Sequence, residues 1–268
     1  MVKQKILALD LDGTVLDDYG LISADTITSL KQARQNHTFV CFVTGRCDFD
    51  IAPLKPFFPL ADYVIMNSGT KIVDVKGGTT LYQQYINTED SRLVVNFCLR
   101  NNLLLYVKSG LFWGVNIVDE GVKRFSKSLQ RSPTVYESVT ESLINHVDGF
   151  SLTTETACQA VNGLISRENM DLYTLNSEPD YYDILRKDVS KWHGICVVAR
   201  QFEIPIENII AAGNYTNDID MIRHAGTGIA VQNALDEVKQ AADYVTSRNN
   251  NQNAVGEIVN RFICADRP

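Results

Sequence analysis

Two aspartates two residues apart, Asp10 and Asp12, close the apolar run ILALDLDG and are followed by Gly13. Such a pair can divide labour, one carboxylate acting as nucleophile or metal ligand and the other as proton shuttle. The apolar run reads as a buried strand, and in open parallel sheets ligands gather outside the carboxyl ends of the strands. Taken by itself, DLDG also reads as an Asx turn capping a strand. Thr44-Gly45-Arg46 ends the run TFVCFV. A hydroxyl and free backbone amides where a strand opens towards a helix make a small anion cradle, although a lone TGR is equally a turn. Lys191 stands in a helical first turn behind Ser190, where the helix dipole disfavours a cation. A nearby phosphate explains that placement; a solvated surface lysine is the plainer account. Residues 213–218, GNYTND, follow the run IIAA and hold one acid, Asp218, with the amides Asn214 and Asn217. Each of the four segments falls at an inferred strand end or helix start, which favours one shared site over four unrelated turns.

The elements that must position these residues form two textures. Near-continuous apolar strands at 5–11, 38–44 and 62–67, with a helix at 23–36 behind a Ser cap, indicate a parallel sheet covered on both faces. The same texture returns after about 187, with helices at 189–202, 217–225, about 234–241 and 254–263 and strands at 207–213 and 226–232. Between them the pattern is mixed. Residues 70–86 read as two strands around Gly77-Gly78, and a helix starts at Thr88. Further strands are expected at 103–107, 112–118 and 148–153, and helices around 120–129 and 155–167. The chain therefore reads as one α/β domain made from both ends, with an α+β insert of roughly a hundred residues.

Composition narrows the partners. The 268 residues carry a net charge of −7 with no Lys/Arg cluster, which argues against nucleic acid or an anionic membrane as partner. No run approaches the roughly 18 apolar residues that a membrane span needs, and Asp10 interrupts the N-terminal apolar stretch too early for a signal-peptide core. Six scattered cysteines without a CxxC pair are expected to be reduced thiols in a cytoplasmic protein. His37, His146, His193 and His224 have no spacing that suggests zinc. Trp113 and Tyr106 read as core or as pocket lining, and Tyr181 and Tyr182 as hinge or pocket residues. Nothing chooses between monomer and dimer.

As an ordered set, DLDGT (10–14), TGR (44–46), SK (190–191) and GNxxND (213–218) resemble the four motifs of the haloacid dehalogenase-like phosphatases. Within them the chain is similar to the Cof-type branch, whose large α/β cap is inserted between the second and third motifs; the tail at 228–246 is also similar to that branch. The resemblance covers about 1–75 and 187–263 and leaves the insert unassigned. It implies a Rossmann-like parallel sheet core with helices on both faces, over 1–80 and 187–268, with an inserted α+β cap over 81–186. It further implies Mg²⁺-dependent hydrolysis of a small phosphomonoester. Asp10 would attack phosphorus and carry an aspartyl-phosphate, and Asp12 would protonate the leaving alcohol and then activate water. Thr44, Gly45, Lys191 and Asn217 would hold the phosphoryl oxygens, with Arg46 reaching substrate or pairing with an acid. Asp10, the Asp12 carbonyl and Asn214 would hold the metal, with Asp218 supporting the metal or Lys191. Phosphoryl transfer needs mainly positioning and charge neutralisation, and Mg²⁺ prefers hard oxygen ligands, so these residue types suit the chemistry.

One residue departs from the pattern: the family usually has Asp where this chain has Asn214. Asn keeps a ligating carbonyl oxygen and removes one negative charge, which predicts weaker Mg²⁺ binding. Two alternatives therefore stand beside a phosphatase. A phosphomutase would use the same aspartyl-phosphate chemistry, and a non-catalytic phosphometabolite-binding protein would keep the pocket with a weakened metal site.

Overall fold

The computed structural model describes residues 4–265, which form two compact units. The first is built from the chain up to Gly45, from Leu54–Gln83 and from Ser190 onwards; the second comprises Arg46–Pro53 and Gln84–Val189.

The first unit is an eight-stranded sheet in the order Tyr244–Val245, Thr227–Ala230, Ile209–Gly213, Lys5–Asp10, Thr38–Val43, Tyr63–Met66, Lys71–Asp74, Thr79–Gln83. The first six strands run parallel, and the last two, the hairpin around Gly77-Gly78, add antiparallel at the edge. Ile6, Leu7, Ala8 and Leu9 are all fully buried, as a central strand covered on both faces requires. Alternation sends Ile6 and Ala8 into one apolar cluster with Ile195, Val198 and Ala199 of the helix Lys191–Gln201 and Met221 and Ile222 of the helix Ile219–His224. The helix Ala24–Gln35 packs along Thr38–Val43 and on Ala254–Val259. Its start is fixed by Ser23, whose hydroxyl oxygen accepts the Thr26 amide at 3.1 Å. The α/β class and the covered parallel sheet are those expected. Two expected helices are shorter than their patterns suggest: 217–225 resolves into a turn, Thr216–Asp218, and a helix, Ile219–His224, and 234–241 begins at Asp236.

The second unit is a six-stranded sheet in the order Leu172–Glu178, Tyr181–Arg186, Gly149–Leu152, Tyr106–Ser109, Phe112–Val115, Thr134–Val135. One face carries Val107, Phe150, Leu152 and Ile184 into an apolar cluster with Val94 and Val95 of the helix Thr88–Arg100 and Val161 and Leu164 of the helix Glu155–Arg167. The opposite face holds Tyr106, Lys108, Trp113, Ser151 and Asp183, one residue out of step along their strands. Trp113 stacks between Phe49 and Tyr106, with ring centroids 5.7 and 6.1 Å away, and Val122 and Phe125 of the helix Glu120–Leu129 close the cluster. The expected strand at 103–107 lies later, at Tyr106–Ser109. The hairpin Leu172–Arg186, which includes the sheet's longest strand, has no counterpart in the sequence expectations. Polar residues on both faces, Thr174 and Asn176 on one and Asp183 on the other, mask the alternation, and Pro179-Asp180 marks the turn, Asp180 at φ 56°.

Candidate active site

Four loops of the first unit bring the motif residues together at the carboxyl ends of its parallel strands. The strand Lys5–Asp10 runs parallel between Thr38–Val43 and Ile209–Gly213, so Asp10, Thr44 and Asn214 emerge at the same edge. Gly13 takes φ 74° and lets the chain turn back at once; a Cβ there would also stand 2.5 Å from the end of the Asn214 carboxamide. Ser190 caps the helix Lys191–Gln201, its Oγ accepting the His193 amide at 3.1 Å and donating to Asp220 Oδ2 at 2.7 Å. That cap fixes Lys191 as the first helical residue.

Lys191 is the centre of the constellation. Its ammonium lies 2.7 Å from Asp10 Oδ1 and 2.5 Å from Asp218 Oδ1, and all three side chains are buried. A surface lysine is therefore excluded. Burial alone would lower the Lys191 pKa, but the Asp10 and Asp218 carboxylates outweigh it and hold the ammonium well above the ordinary lysine range. Asp10 moves the other way. Burial first, then Asp218 and Asp12, push its carboxyl up to about 8, only partly opposed by Lys191. With Asp10 ionised, the pocket would hold more negative charge than its one lysine balances.

Asp218 spends both oxygens on structure. Oδ1 takes Lys191, and Oδ2 accepts the backbone amides of Asn214 at 2.8 Å and Tyr215 at 3.0 Å. Gly213 is obligatory beside it, because a Cβ there would collide with the Asp218 side chain. Asn214 is pinned twice through its backbone, by Asp218 and by the Leu235 amide, which donates to the Asn214 carbonyl at 3.0 Å. The inward end of its carboxamide lies 2.9 Å from the Asp12 carbonyl, 3.2 Å from Asp10 Oδ2 and 3.2 Å from Thr14 Oγ1; Oδ1 there accepts the Thr14 hydroxyl, and Nδ2 there would donate to the Asp12 carbonyl and Asp10 Oδ2. Asn217 sits half-buried in the same turn, and Asp12 half-buried beyond Asp10.

Thr44 is buried one residue past its strand; its amide donates to the Ile65 carbonyl at 2.8 Å and its own carbonyl accepts the Ser68 amide at 3.0 Å. Gly45 follows, half-buried. Arg46 belongs to the second unit, where its guanidinium donates to the Asp50 carbonyl at 3.3 Å.

The bond from Ser68 to Thr44 exposes residues that sequence reasoning passed over. Asn67, Ser68 and Gly69 take φ 46°, 54° and 103°, three consecutive left-handed residues, all buried. Gly69 lies so near Ser190 that a Cβ would strike its carbonyl, and the Ser68 hydroxyl has no hydrogen-bond partner. Strain of this kind concentrates at functional sites. The available signal was the polar NSGT directly after the strand-like DYVIM.

The residues suit a hard cation. Asp10 Oδ2 and the Asp12 carbonyl converge within 3.2 Å of one atom, the inward end of the Asn214 carboxamide, and ionising Asp10 beside Asp218 and Asp12 calls for further positive charge. The described residues contain no group of three or more His, Cys, Asp or Glu side chains arranged for a metal, and position 214 carries an amide. The described cysteines are all free, and no helix among the described residues is long and apolar enough to cross a membrane.

Known proteins resemble the chain along nearly its whole length. The 5-amino-6-(5-phospho-D-ribitylamino)uracil phosphatase YcsE of Bacillus subtilis is 25% identical over 91% of this chain and 90% of its own. The pyridoxal phosphate phosphatase YbhA of Escherichia coli is 26% identical over 91% and 94%. Among solved structures, a haloacid dehalogenase-like hydrolase from Bacteroides thetaiotaomicron superposes with a TM-score of 0.83 at 22% identity, over 97% of this chain and 99% of that one, which shows the shared fold. The sugar phosphatase BT4131, of subclass IIB, superposes equally well at 25% identity, over 96% and 98%. The family model for haloacid dehalogenase-like hydrolases matches residues 7–259, and the chain belongs to that family.

Proposed function

We propose that the protein is a Mg²⁺-dependent phosphatase of small phosphorylated metabolites, working through an aspartyl-phosphate on Asp10. The observation that carries this reading is the buried Lys191 ammonium held between Asp10 and Asp218, beside loops that end the two neighbouring strands. Lys191 has no plain structural reason to be at a helix start, and a phosphoryl group on Asp10 would sit against it. Relatives named as phosphatases of a ribityl phosphate and of pyridoxal phosphate, and a similar sugar phosphatase, support a small phosphomonoester as the substrate class.

The chain's residues then divide the work. Asp10 attacks phosphorus, the P–O bond to the leaving alcohol breaks, and the Asp12 carboxyl supplies the proton that alcohol needs. In the second step Asp12 takes a proton from water, which attacks the same phosphorus and releases phosphate and the Asp10 carboxylate. Lys191, the Thr44 hydroxyl, the Gly45 amide and Asn217 hold the phosphoryl oxygens. Asp218 positions Lys191 and the 213–215 loop through the bonds described above. Asp10, the Asp12 carbonyl and Asn214 would hold Mg²⁺, which supplies charge neutralisation for the phosphoryl group when bound.

The test is phosphate release from p-nitrophenyl phosphate and a panel of sugar phosphates, with Mg²⁺ and with EDTA, beside Asp10→Asn. We expect Mg²⁺-dependent turnover that Asp10→Asn lowers by about three orders of magnitude or more. Turnover that survives in Asp10→Asn, or binding without turnover at every Mg²⁺ concentration, overturns the reading.

A further inference from the structure

Beyond Asp10 the chain leaves the sheet, and the turn that carries Asp12 is held by side chains from the far end of the chain. Within the turn, Asp12 and Gly13 depart from helical backbone, and the Leu16 amide donates back to the Leu11 carbonyl at 2.9 Å. From outside, Asn233 Nδ2 donates to the Gly13 carbonyl at 2.8 Å, while Asn233 Oδ1 accepts the Asn250 amide at 3.1 Å. Asn250 Nδ2 donates in turn to the Leu16 carbonyl and to Asp18 Oδ1, both at 3.0 Å. Asn251 closes on the same aspartate: its Oδ1 accepts the Asp18 amide at 3.1 Å and its Nδ2 donates to Asp18 Oδ2 at 2.9 Å. Each of these partners can only donate or only accept, so backbone groups and one carboxylate fix which way the three amides point. Two residues on from Asn233, the Leu235 amide donates to the Asn214 carbonyl at 3.0 Å. Residues 233–235 therefore tie the Asp12 turn to the 213–218 loop.

We propose that Asn233 is a positioning residue for Asp12: by holding the Gly13 carbonyl it fixes the turn from which the Asp12 carboxyl reaches the leaving oxygen. That reach rests on the phosphatase reading. Asp10 needs no such support, because it ends a strand paired on both sides, whereas Asp12 depends on the turn alone. Asn233 is exposed and adds little to the core, yet its two bonds join that turn to the buried Asn250. A proton donor displaced by a fraction of an ångström transfers poorly. An aspartate at 233 would keep an acceptor for the Asn250 amide and set a carboxylate against the Gly13 carbonyl, so it would release the turn alone.

The experiment compares the full-length protein with Asn233→Ala and Asn233→Asp. Hydrogen exchange should show the Leu16 amide about ten-fold faster in each variant, with exchange at Ile210 in the central sheet unchanged. The ratio kcat/KM covers the steps up to departure of the leaving group. p-Nitrophenolate leaves without a proton, whereas a sugar alkoxide needs one from Asp12. On the sugar phosphates that the parent hydrolyses, kcat/KM should therefore fall about ten-fold in both variants, while on p-nitrophenyl phosphate it stays within about two-fold. Loss on both esters alike, loss on neither, or unchanged exchange at Leu16 overturns the proposal and leaves the phosphatase reading in place. A variant that fails to fold would contradict a role confined to the turn. If the parent hydrolyses no phosphomonoester, the phosphatase reading falls and the proton-transfer role of Asn233 with it; the exchange measurement then decides whether Asn233 holds the turn.

Discussion

The molecule buries two lysines against aspartates, one in each unit, and the two are not equivalent. Lys108 lies in the interior of a strand, 2.6 Å from Asp183 Oδ1, an oxygen that also accepts the Ser151 hydroxyl at 2.7 Å. Burial works against the charge on Lys108, yet Asp183 and then the Tyr181 phenol hold its pKa well above the ordinary lysine range. Its ammonium stands 5.4 Å from the Tyr181 ring centroid, so an aromatic face completes its surroundings. Lys108 and Asp183 form an ion pair across the strand Gly149–Leu152, which lies between theirs, and the Asp50 carboxyl also feels Lys108. Lys191 instead lies where four loops meet and answers two buried acids, with Asp12 close by. A closed pair is architecture; an unbalanced cluster at strand ends is a place where something charged is still to be bound.

Substitution should separate the two. Lys108→Met and Lys191→Met each leave a buried carboxylate without its cation, and each should cost about 3–5 kcal/mol in urea unfolding. Lys108→Met combined with Asp183→Leu should recover most of that loss, since an apolar pair replaces an ion pair on a packed sheet. No single second change should rescue Lys191→Met, because removing Asp218 leaves Asp10 and removing Asp10 leaves Asp218. Full rescue of Lys191→Met by Asp218→Leu would make the two lysines alike and erase the distinction.

A second contrast is legible in pH. Asp50, in the second unit, is pushed up to about 6 by burial, with Lys108 and then Arg46 drawing it back only in part. The folded protein therefore keeps that proton to about pH 6, while the unfolded chain releases it near an ordinary aspartate value of about 3.9. The stability this group lends is complete below about pH 4 and is lost as pH rises to about 6. Asp50→Asn should remove that descent, so the thermal midpoint of the variant should gain on the parent between about pH 4 and 6 and hold a constant lead above. A parallel pair of curves would show that the folded carboxyl titrates normally.

The smallest expected effect tests the strained turn of the first unit. Ser68→Gly should raise stability by about 1 kcal/mol in denaturant titration, because glycine adopts the left-handed conformation without the Cβ penalty. If the unpartnered hydroxyl meets substrate, the same variant should turn over more slowly although it unfolds later. Equal turnover would assign the strain to packing alone.

Much of the first unit is written openly in the chain. Buried parallel strands are apolar on both faces, so 5–10, 38–43 and 209–213 stand out, and the polar residues that end them mark the site. The second unit conceals more. Its hairpin at 172–186 carries polar residues on both faces, Thr174 and Asn176 on one and Asp183 on the other, and the strand at 106–109 includes the charged Lys108, which breaks the apolar run. Two properties of the site have no sequence signature: the left-handed backbone of Asn67 and Ser68, and the commitment of Asp218 to Lys191 and two backbone amides. Each depends on atoms far apart in sequence meeting at hydrogen-bond distance.

Arg46–Pro53 illustrates a different consequence. This segment lies in sequence between two strands of the first unit, yet Cys47 and Phe49 are buried with Trp113 and Tyr106 in the second. The covalent chain therefore crosses from one unit to the other four times, not twice. Anyone exchanging the second unit between relatives would have to transplant two separate fragments together. Grafting 84–189 alone would give the recipient a foreign sheet against its own 46–53 loop, and the mismatch would surface as a folding failure.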